Sequence, residues 1–153
     1  MIYASEMQWD NENLYLSADD YSIVGIGFEK PEGVIWKENG ILLKCRMQLQ
    51  EYFLGKRKAF DVPISFTGTE FQNVVWKRLL EIPYGQIISY GDLAIAVGKP
   101  KAARAVGNAC NKNPIAIVVP CHRVVGKNGS LIGYAGGIAM KEKLLELEQE
   151  GVK

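Results

Sequence analysis

The stretch Ser89-Tyr90-Gly91-Asp92-Leu93-Ala94-Ile95-Ala96-Val97-Gly98-Lys99-Pro100-Lys101-Ala102-Ala103-Arg104-Ala105-Val106-Gly107-Asn108-Ala109-Cys110 decides how this chain is organised. Ser89, with Asp92 three residues on, can cap a short helix carrying Leu93, Ala94, Ala96 and Val97, and Gly98 ends it in a tight turn. Pro100 suits the first position of a second helix, which Ala102, Ala103, Ala105, Val106, Ala109 and Cys110 continue with little side-chain bulk. Two short helices about a glycine-containing turn, the second bearing Lys101, Arg104 and Lys112, spell a helix-turn-helix. Purely structural helix pairs share this pattern. A helix so rich in Ala and Gly can nevertheless approach another backbone closely, as insertion into a narrow minor groove requires.

Upstream, Thr69 and Gln72 make a capping box, and Phe71, Val74, Val75, Leu79 and Ile82 follow on one helical face until Pro83 stops it. Residues 61–68 carry Pro63 and Gly68 and neither hydrophobic period, which predicts the join between two subdomains. Before it, Ile41, Leu42, Cys45, Leu49, Tyr52 and Phe53 recur at helical spacing, with Gly55 at the C-terminal glycine position and Cys45 packed inside. Residues 13–16 and 21–28 read as short strands of a small sheet, separated by the turn-forming Ser17-Ala18-Asp19-Asp20.

Downstream, Asn113-Pro114 ends the second helix of the pair, and the β-branched run over 115–119 predicts a buried strand or extended segment. Asn128-Gly129 predicts a turn between Val124-Val125 and Leu131-Ile132, and residues 133–137 a flexible loop. From Ala139, the residues Met140, Leu144, Leu145 and Leu147, interleaved with Lys141, Glu142, Lys143, Glu146 and Glu148, describe a final amphipathic helix.

With 153 residues, 48% hydrophobic and 23% charged, the chain has ordinary globular composition and room for one domain or two small ones. No run of about 18 apolar residues could span a bilayer, and the first residues lack a basic stretch leading into an apolar one. Cys45, Cys110 and Cys121 form an odd set without CxxC spacing, which speaks against a disulfide framework or structural zinc and for a reducing cytoplasm. The net charge of +1 hides an uneven distribution: residues 82–140 carry Lys99, Lys101, Arg104, Lys112, Arg123 and Lys127 against Asp92 alone. Such a segment can track a phosphate backbone, or it can be a solvated basic face.

The chemistry centres on Pro120-Cys121-His122-Arg123, where a cysteine at the edge of an apolar run adjoins the only histidine. A neighbouring imidazole and a basic segment favour the thiolate. A packed cysteine beside a surface histidine is the bland alternative. A cysteine hydrolase would ordinarily bring its histidine from afar, and in an extended backbone these adjacent side chains would point to opposite faces. A bridging water could connect them, with Glu148 orienting the imidazole from behind.

Pro120-Cys121-His122-Arg123-Val124, preceded by Asn113-Pro114 and by Lys101-Ala102-Ala103-Arg104-Ala105-Val106-Gly107, resembles the O6-alkylguanine-DNA alkyltransferases, the methylated-DNA-protein-cysteine methyltransferase family, over residues 69–149. The resemblance implies an α/β N-terminal subdomain, a ribonuclease-H-like small sheet, at 1–66, and a mainly α C-terminal subdomain with the helix-turn-helix at 67–153. It implies irreversible, single-turnover transfer of the alkyl group from O6-alkylguanine, and from O4-alkylthymine, to Cys121. The protein would act as a cytoplasmic monomer on double-stranded DNA, with no cofactor, no metal and no membrane. Arg104, with Lys101, Ala102, Ala103 and Arg123, would meet the DNA, Arg104 filling the stack where the damaged base flips out through the minor groove. Tyr90 would assist rotation and donate a proton toward the leaving guanine. Asn113 would hold the turn near the thiol, Glu148 and His122 would polarise Cys121 through water, and Tyr134, Ala135 and Gly136 would wall the base pocket.

Two departures stand out. Trp9-Asp10-Asn11-Glu12 replaces the first-strand start common in relatives, and Ala135 stands where many relatives carry a small hydroxyl residue. Gly136 would leave the pocket roomy enough for bulkier adducts. Displacement at a saturated carbon needs no oxyanion hole, and a thioether offers water no good leaving group. A non-catalytic damage-binding module on the same fold is the competing reading, although in alkyltransferase-like proteins of that kind tryptophan typically replaces the reactive cysteine.

Overall fold

The computed structural model describes residues 1–153, which fall into two compact units, Met1–Phe66 and Thr67–Lys153.

In the first unit, β1 (Tyr3–Trp9) and β2 (Glu12–Ala18) form an antiparallel hairpin closed at Trp9 and Glu12. Its two loop residues, Asp10 and Asn11, have φ of 49° and 67°, the left-handed pair that a two-residue hairpin turn demands and that Asp and Asn tolerate best. Trp9-Asp10-Asn11-Glu12, expected at the start of the first strand, is therefore the hairpin's loop with the strand end on each side, and the first strand begins at Tyr3. β3 (Ile23–Gly27) pairs antiparallel with β2, and β4 (Ile35–Trp36) runs parallel to β1, giving the sheet order β3-β2-β1-β4.

The turn between β2 and β3 sits later than expected. β2 continues through Ala18, and Asp19 Oδ1 accepts from the Tyr21 and Ser22 amides at 2.8 and 2.7 Å. The suspected join over 61–68 also has a role in this unit: Ile23 N donates to Pro63 O and Ser65 N to Ile23 O, so residues 63–65 edge the sheet.

Helix α1 (Gly40–Phe53) lies on this sheet. Asn39 caps it by accepting from Leu42 N at 2.9 Å, and Gly55, at φ 75°, ends it with bonds back to the last turn. Leu42, Cys45, Leu49 and Tyr52 meet Leu14, Leu16, Ile23 and Ile26 in a fully buried core. Truncating one of these leucines to alanine would cost about 2–5 kcal/mol.

The second unit opens with α2 (Glu70–Leu79), whose Thr69–Gln72 capping box forms in both directions. Its inner face is Val75, Trp76 and Leu79. Val74, expected inside, is 44% exposed, because Trp76 takes the inner position and donates its indole N–H to Ala109 O at 2.8 Å. α3 (Tyr90–Ala96) is capped by Ser89 as expected, and Gly98 turns the chain at φ 79°. α4 (Ala103–Asn111) starts three residues after Pro100. The bond from Ala102 N to Lys99 O closes a turn over 99–102, which delays the helix. α3, α4 and the intervening turn form the helix-turn-helix.

The run 115–119 is not a strand. It folds into a tight buried turn, with Val119 N bonded to Ile115 O and Ile117 at φ 73°. A β-branched residue in the left-handed region is strained by about 1–3 kcal/mol, and burial on all sides holds it there. Cys121–Arg123 then form one turn of 3-10 helix rather than extended chain. β6 (Val124–Val125) runs parallel to β5 (Ile88–Ser89) instead of forming a hairpin with 131–132. The Asn128-Gly129 turn does form, closed by Gly126 N to Ser130 O.

The last helix, α5 (Ile138–Gly151), buries Met140, Lys141, Leu144 and Glu148 on one face. No helix of the chain is long and apolar enough to cross a membrane.

Candidate active site

The second unit brings together Asn113, Cys121, His122, Arg123 and Glu148, five side chains from three segments. Asn113, just beyond α4, is fixed on both sides of its amide: Oδ1 accepts from Ile115 N at 3.0 Å, and Nδ2 donates to Val119 O at 2.8 Å. The same Nδ2 reaches Cys121 Sγ at 3.2 Å, so the strained 115–119 turn and the thiol are positioned by one side chain. Cys121 is 6% exposed.

Next to it, His122 Nε2 lies 2.7 Å from Glu148 Oε2, and both side chains are buried. A carboxylate only accepts, so Nε2 carries the proton and Nδ1 is the basic nitrogen. Nδ1 has no hydrogen-bond partner within the protein.

Glu148 also takes both arms of Arg123, with Nε to Oε1 at 2.8 Å and Nη2 to Oε2 at 3.0 Å, and the Gly85 amide at 3.1 Å. Burial opposes its ionisation, but hydrogen bonds from His122 and Arg123 outweigh this and hold the carboxyl at about 2. Burial lowers His122 below the usual histidine range, Glu148 acting in the opposite sense, and the imidazole is neutral at pH 7.

This geometry corrects two expectations. Arg123 cannot meet DNA: it is buried, paired bidentately with Glu148, and its Nη1 donates to Ile82 O at 2.7 Å. A charge removed from water and already saturated has nothing left for a phosphate. The resting thiolate is not favoured either. Burial pushes the Cys121 thiol up to about 11, against the pull of the Asn113 bond and of Lys141, while the uncharged imidazole lends no field. Beside it, Nδ1 of the adjacent imidazole is left as an unprotonated ring nitrogen with no hydrogen-bond partner.

Lys141 is the residue that sequence reasoning missed. Read as part of the polar face of α5, it is fully buried, and its Nζ donates to Tyr90 Oη at 3.3 Å, Ile132 O at 3.2 Å and Gly133 O at 3.4 Å. Its spacing held a clue: Lys141 stands seven residues, two helical turns, before Glu148 and so on the same face. Tyr90 donates its own hydroxyl to Ile132 O at 3.0 Å, and burial pushes that phenol up to about 12, so it keeps its proton at neutral pH. Burial, then the nearness of Cys121 and Glu148, holds Tyr134 well above the usual tyrosine range, which brings that residue into the cluster.

A groove of about 820 Å³ runs along α4, bounded by Tyr90, Arg104, Gly107, Asn111, Lys127 and Gly133 among others. Arg104, Lys101, Lys112 and Lys127 are exposed, and Ala103 lines the groove while Ala102 precedes the first turn of α4. Ala135 and Gly136 lie beyond its lining. No three His, Cys, Asp or Glu side chains cluster so as to hold a metal ion.

Comparisons with known proteins cover both units. Residues 70–150 match the DNA-binding domain of 6-O-methylguanine DNA methyltransferase, and residues 2–66 match its ribonuclease-like domain. The chain is 48% identical to a methylated-DNA–protein-cysteine methyltransferase of Methanosarcina acetivorans, over 88% of this chain and 90% of that one. It is 41% identical to the inducible methylated-DNA–protein-cysteine methyltransferase of Bacillus subtilis, over 97% of this chain and 90% of that protein. The crystal structure of Mycobacterium tuberculosis OGT in complex with DNA superimposes with a TM-score of 0.91 at 41% identity, covering 97% of this chain and 94% of that one.

Proposed function

Because the chain belongs to the 6-O-methylguanine DNA methyltransferase family, we propose that it repairs double-stranded DNA by moving the alkyl group of O6-alkylguanine onto Cys121 in one irreversible turnover. The observation that carries this reading is the 2.7 Å contact between His122 Nε2 and Glu148 Oε2, which leaves Nδ1 as a base beside a buried thiol.

The imidazole takes the thiol proton, directly or through one water, and Glu148 stabilises the imidazolium that results. Sγ attacks the alkyl carbon, the carbon–oxygen bond breaks, and its electron pair passes to the guanine. Tyr90 supplies a proton to the departing base while the Lys141 ammonium faces the phenol oxygen; the phenolate then regains a proton from solvent as the His122 imidazolium releases the one it took, so both groups return to their starting state. The sum is a thiol and an alkyl ether converted to a thioether and guanine. No step reverses easily, so one molecule serves once.

The groove along α4 suits an approach from the minor groove. Ala103 and Gly107 allow close contact, Arg104 fills the place of the rotated nucleotide, and Lys101 tracks the phosphates. O4-alkylthymine, carrying its alkyl group on a comparable exocyclic oxygen, is a second substrate. The free thiols Cys45, Cys110 and Cys121 suit a reducing compartment, which we take to be the cytoplasm.

The test is direct. Protein mixed with a duplex containing O6-methylguanine and then digested is expected to carry one methyl group on the Cys121 peptide. An unmodified peptide, or repeated turnover, would overturn the reading.

A further inference from the structure

The partners of the Glu148 carboxylate come from different parts of the chain. His122 and Arg123 are adjacent on a single 3-10 turn, so together they fix the carboxylate relative to that turn alone. The Gly85 amide, which donates to Glu148 Oε1 at 3.1 Å, arrives from the connection between α2 and β5. It ties the carboxylate to a second segment and so sets the direction in which Oε2 meets the imidazole.

Gly85 presents that amide because of the turn it occupies. Gln86 N donates to Pro83 O at 3.1 Å, and of the two central residues only Gly85 has a positive φ, at 79°. This is a type II turn. A type I turn over the same four residues would rotate the central peptide by roughly half a revolution and swing the Gly85 N–H away from Glu148. Glycine permits the form found, since a side chain at 85 would be strained at this φ and would set its Cβ 2.6 Å from Val152 Cγ1. Permission is not enough to hold it. Gln149, next to Glu148 on α5, donates from Nε2 to Gly85 O at 2.8 Å. Consecutive residues of one helix thus grip both flanks of a single glycine, Glu148 its N–H and Gln149 its C=O. With the peptides on either side tied down, the φ and ψ of Gly85 are fixed. The other central residue, Tyr84, sets its ring 5.8 Å from the Arg123 guanidinium, so the whole turn abuts the Glu148 network.

We propose that Gln149 is a positioning residue: by holding the 83–86 turn in its type II form it keeps the Gly85 amide on Glu148, and so keeps the carboxylate aimed at His122. The assignment rests on the repair reading above, in which His122 takes the thiol proton. Gln149 is exposed and does not line the groove along α4, so its effect falls on the chemical step and not on DNA binding.

Gln149→Met keeps the length and helix propensity of the side chain but removes the donor, whereas Gln149→Lys keeps a donor. Two quantities are measured on each protein. The first is the single-turnover rate of methyl transfer to Cys121 from an O6-methylguanine duplex at saturating protein. Gln149→Met is expected to lower it about fivefold, the worth of one net hydrogen bond, with DNA affinity unchanged. The second is the ring N–H proton resonance of protein isotope-labelled at histidine, which arises from His122 alone because the chain has one histidine. A charge-assisted bond to a carboxylate holds that proton downfield, and Gln149→Met is expected to move it upfield. Gln149→Lys is expected to retain both the rate and the resonance of the unaltered protein. The assignment is overturned if Gln149→Met leaves either quantity unchanged, if weaker DNA binding accounts for the slower transfer, or if Gln149→Lys behaves as Gln149→Met does. Failure of the unaltered protein to transfer methyl would overturn the repair reading instead, and the resonance, which needs no substrate, would still decide whether Gln149 holds Glu148.

Discussion

One carboxylate, that of Glu148, holds both His122 and Arg123: its Oε2 lies 2.7 Å from His122 Nε2 while Arg123 grips both oxygens at 2.8 and 3.0 Å. The imidazole tautomer and the burial of a guanidinium therefore depend on the same group.

Glu148→Gln should damage both. It leaves Arg123 buried without a counter-charge, a loss of about 3–5 kcal/mol in unfolding free energy, and it replaces a carboxylate that can only accept with an amide that can also donate, so the proton is no longer forced onto Nε2. Urea unfolding and the methyl-transfer rate should fall together; a variant as stable as the parent would show that the pair contributes little.

Stability should have two pH limbs. The Glu148 carboxyl, depressed to about 2 from an ordinary 4.5, contributes stability that is complete above about pH 4.5 and lost as pH falls toward 2, about 3 kcal/mol in all. The Cys121 and Cys45 thiols, raised from 9.0 to about 11 and about 12 by burial, act in the other sense. Their contribution is full below pH 9 and lost as pH rises through 9 toward those values. Thermal midpoints from pH 3 to 10.5 should trace both limbs, and Glu148→Gln should flatten the acid one.

Arg123→Ala and Lys101→Ala should part company. Lys101 is exposed at the turn before α4, and removing it should reduce the slope of log affinity for DNA against log salt by about one. Arg123 is spent on Glu148 and Ile82, so its loss should cost stability and leave that slope unchanged. A lowered slope for Arg123→Ala would restore it to the DNA surface.

Arg104→Ala should slow repair of a duplex by more than about tenfold and reaction with free O6-benzylguanine by less than about twofold, because only the duplex needs a base displaced. Equal losses would place Arg104 in the chemistry instead.

What could be read from the sequence was local or carried by a continuous motif. The Thr69–Gln72 box and the Ser89 cap each depend on residues three apart, and both formed. Lys141 escaped because a buried ammonium looks like any helix charge until its acceptors, Ile132 O and Gly133 O, arrive from another segment. β1 escaped for a related reason: Tyr3–Trp9 mixes polar and apolar residues, and its strand character comes from pairing with β2. The run 115–119 misled because β-branched residues favour strands, whereas here Ile117 is forced to φ 73° by its surroundings. That turn also places Cys121 and His122 on a 3-10 helix, which removes the objection drawn from an extended backbone.

Lys141 and Glu148 both ride α5, so its docking assembles the environment of the thiol. Until residues 138–151 have emerged from the ribosome, the chain has no ammonium at Tyr90 and no carboxylate behind His122. The surroundings of Cys121 are complete only when synthesis has passed it by about thirty residues, which sets an order of events: the chain must finish this helix before the thiol acquires the neighbours it has in the folded protein.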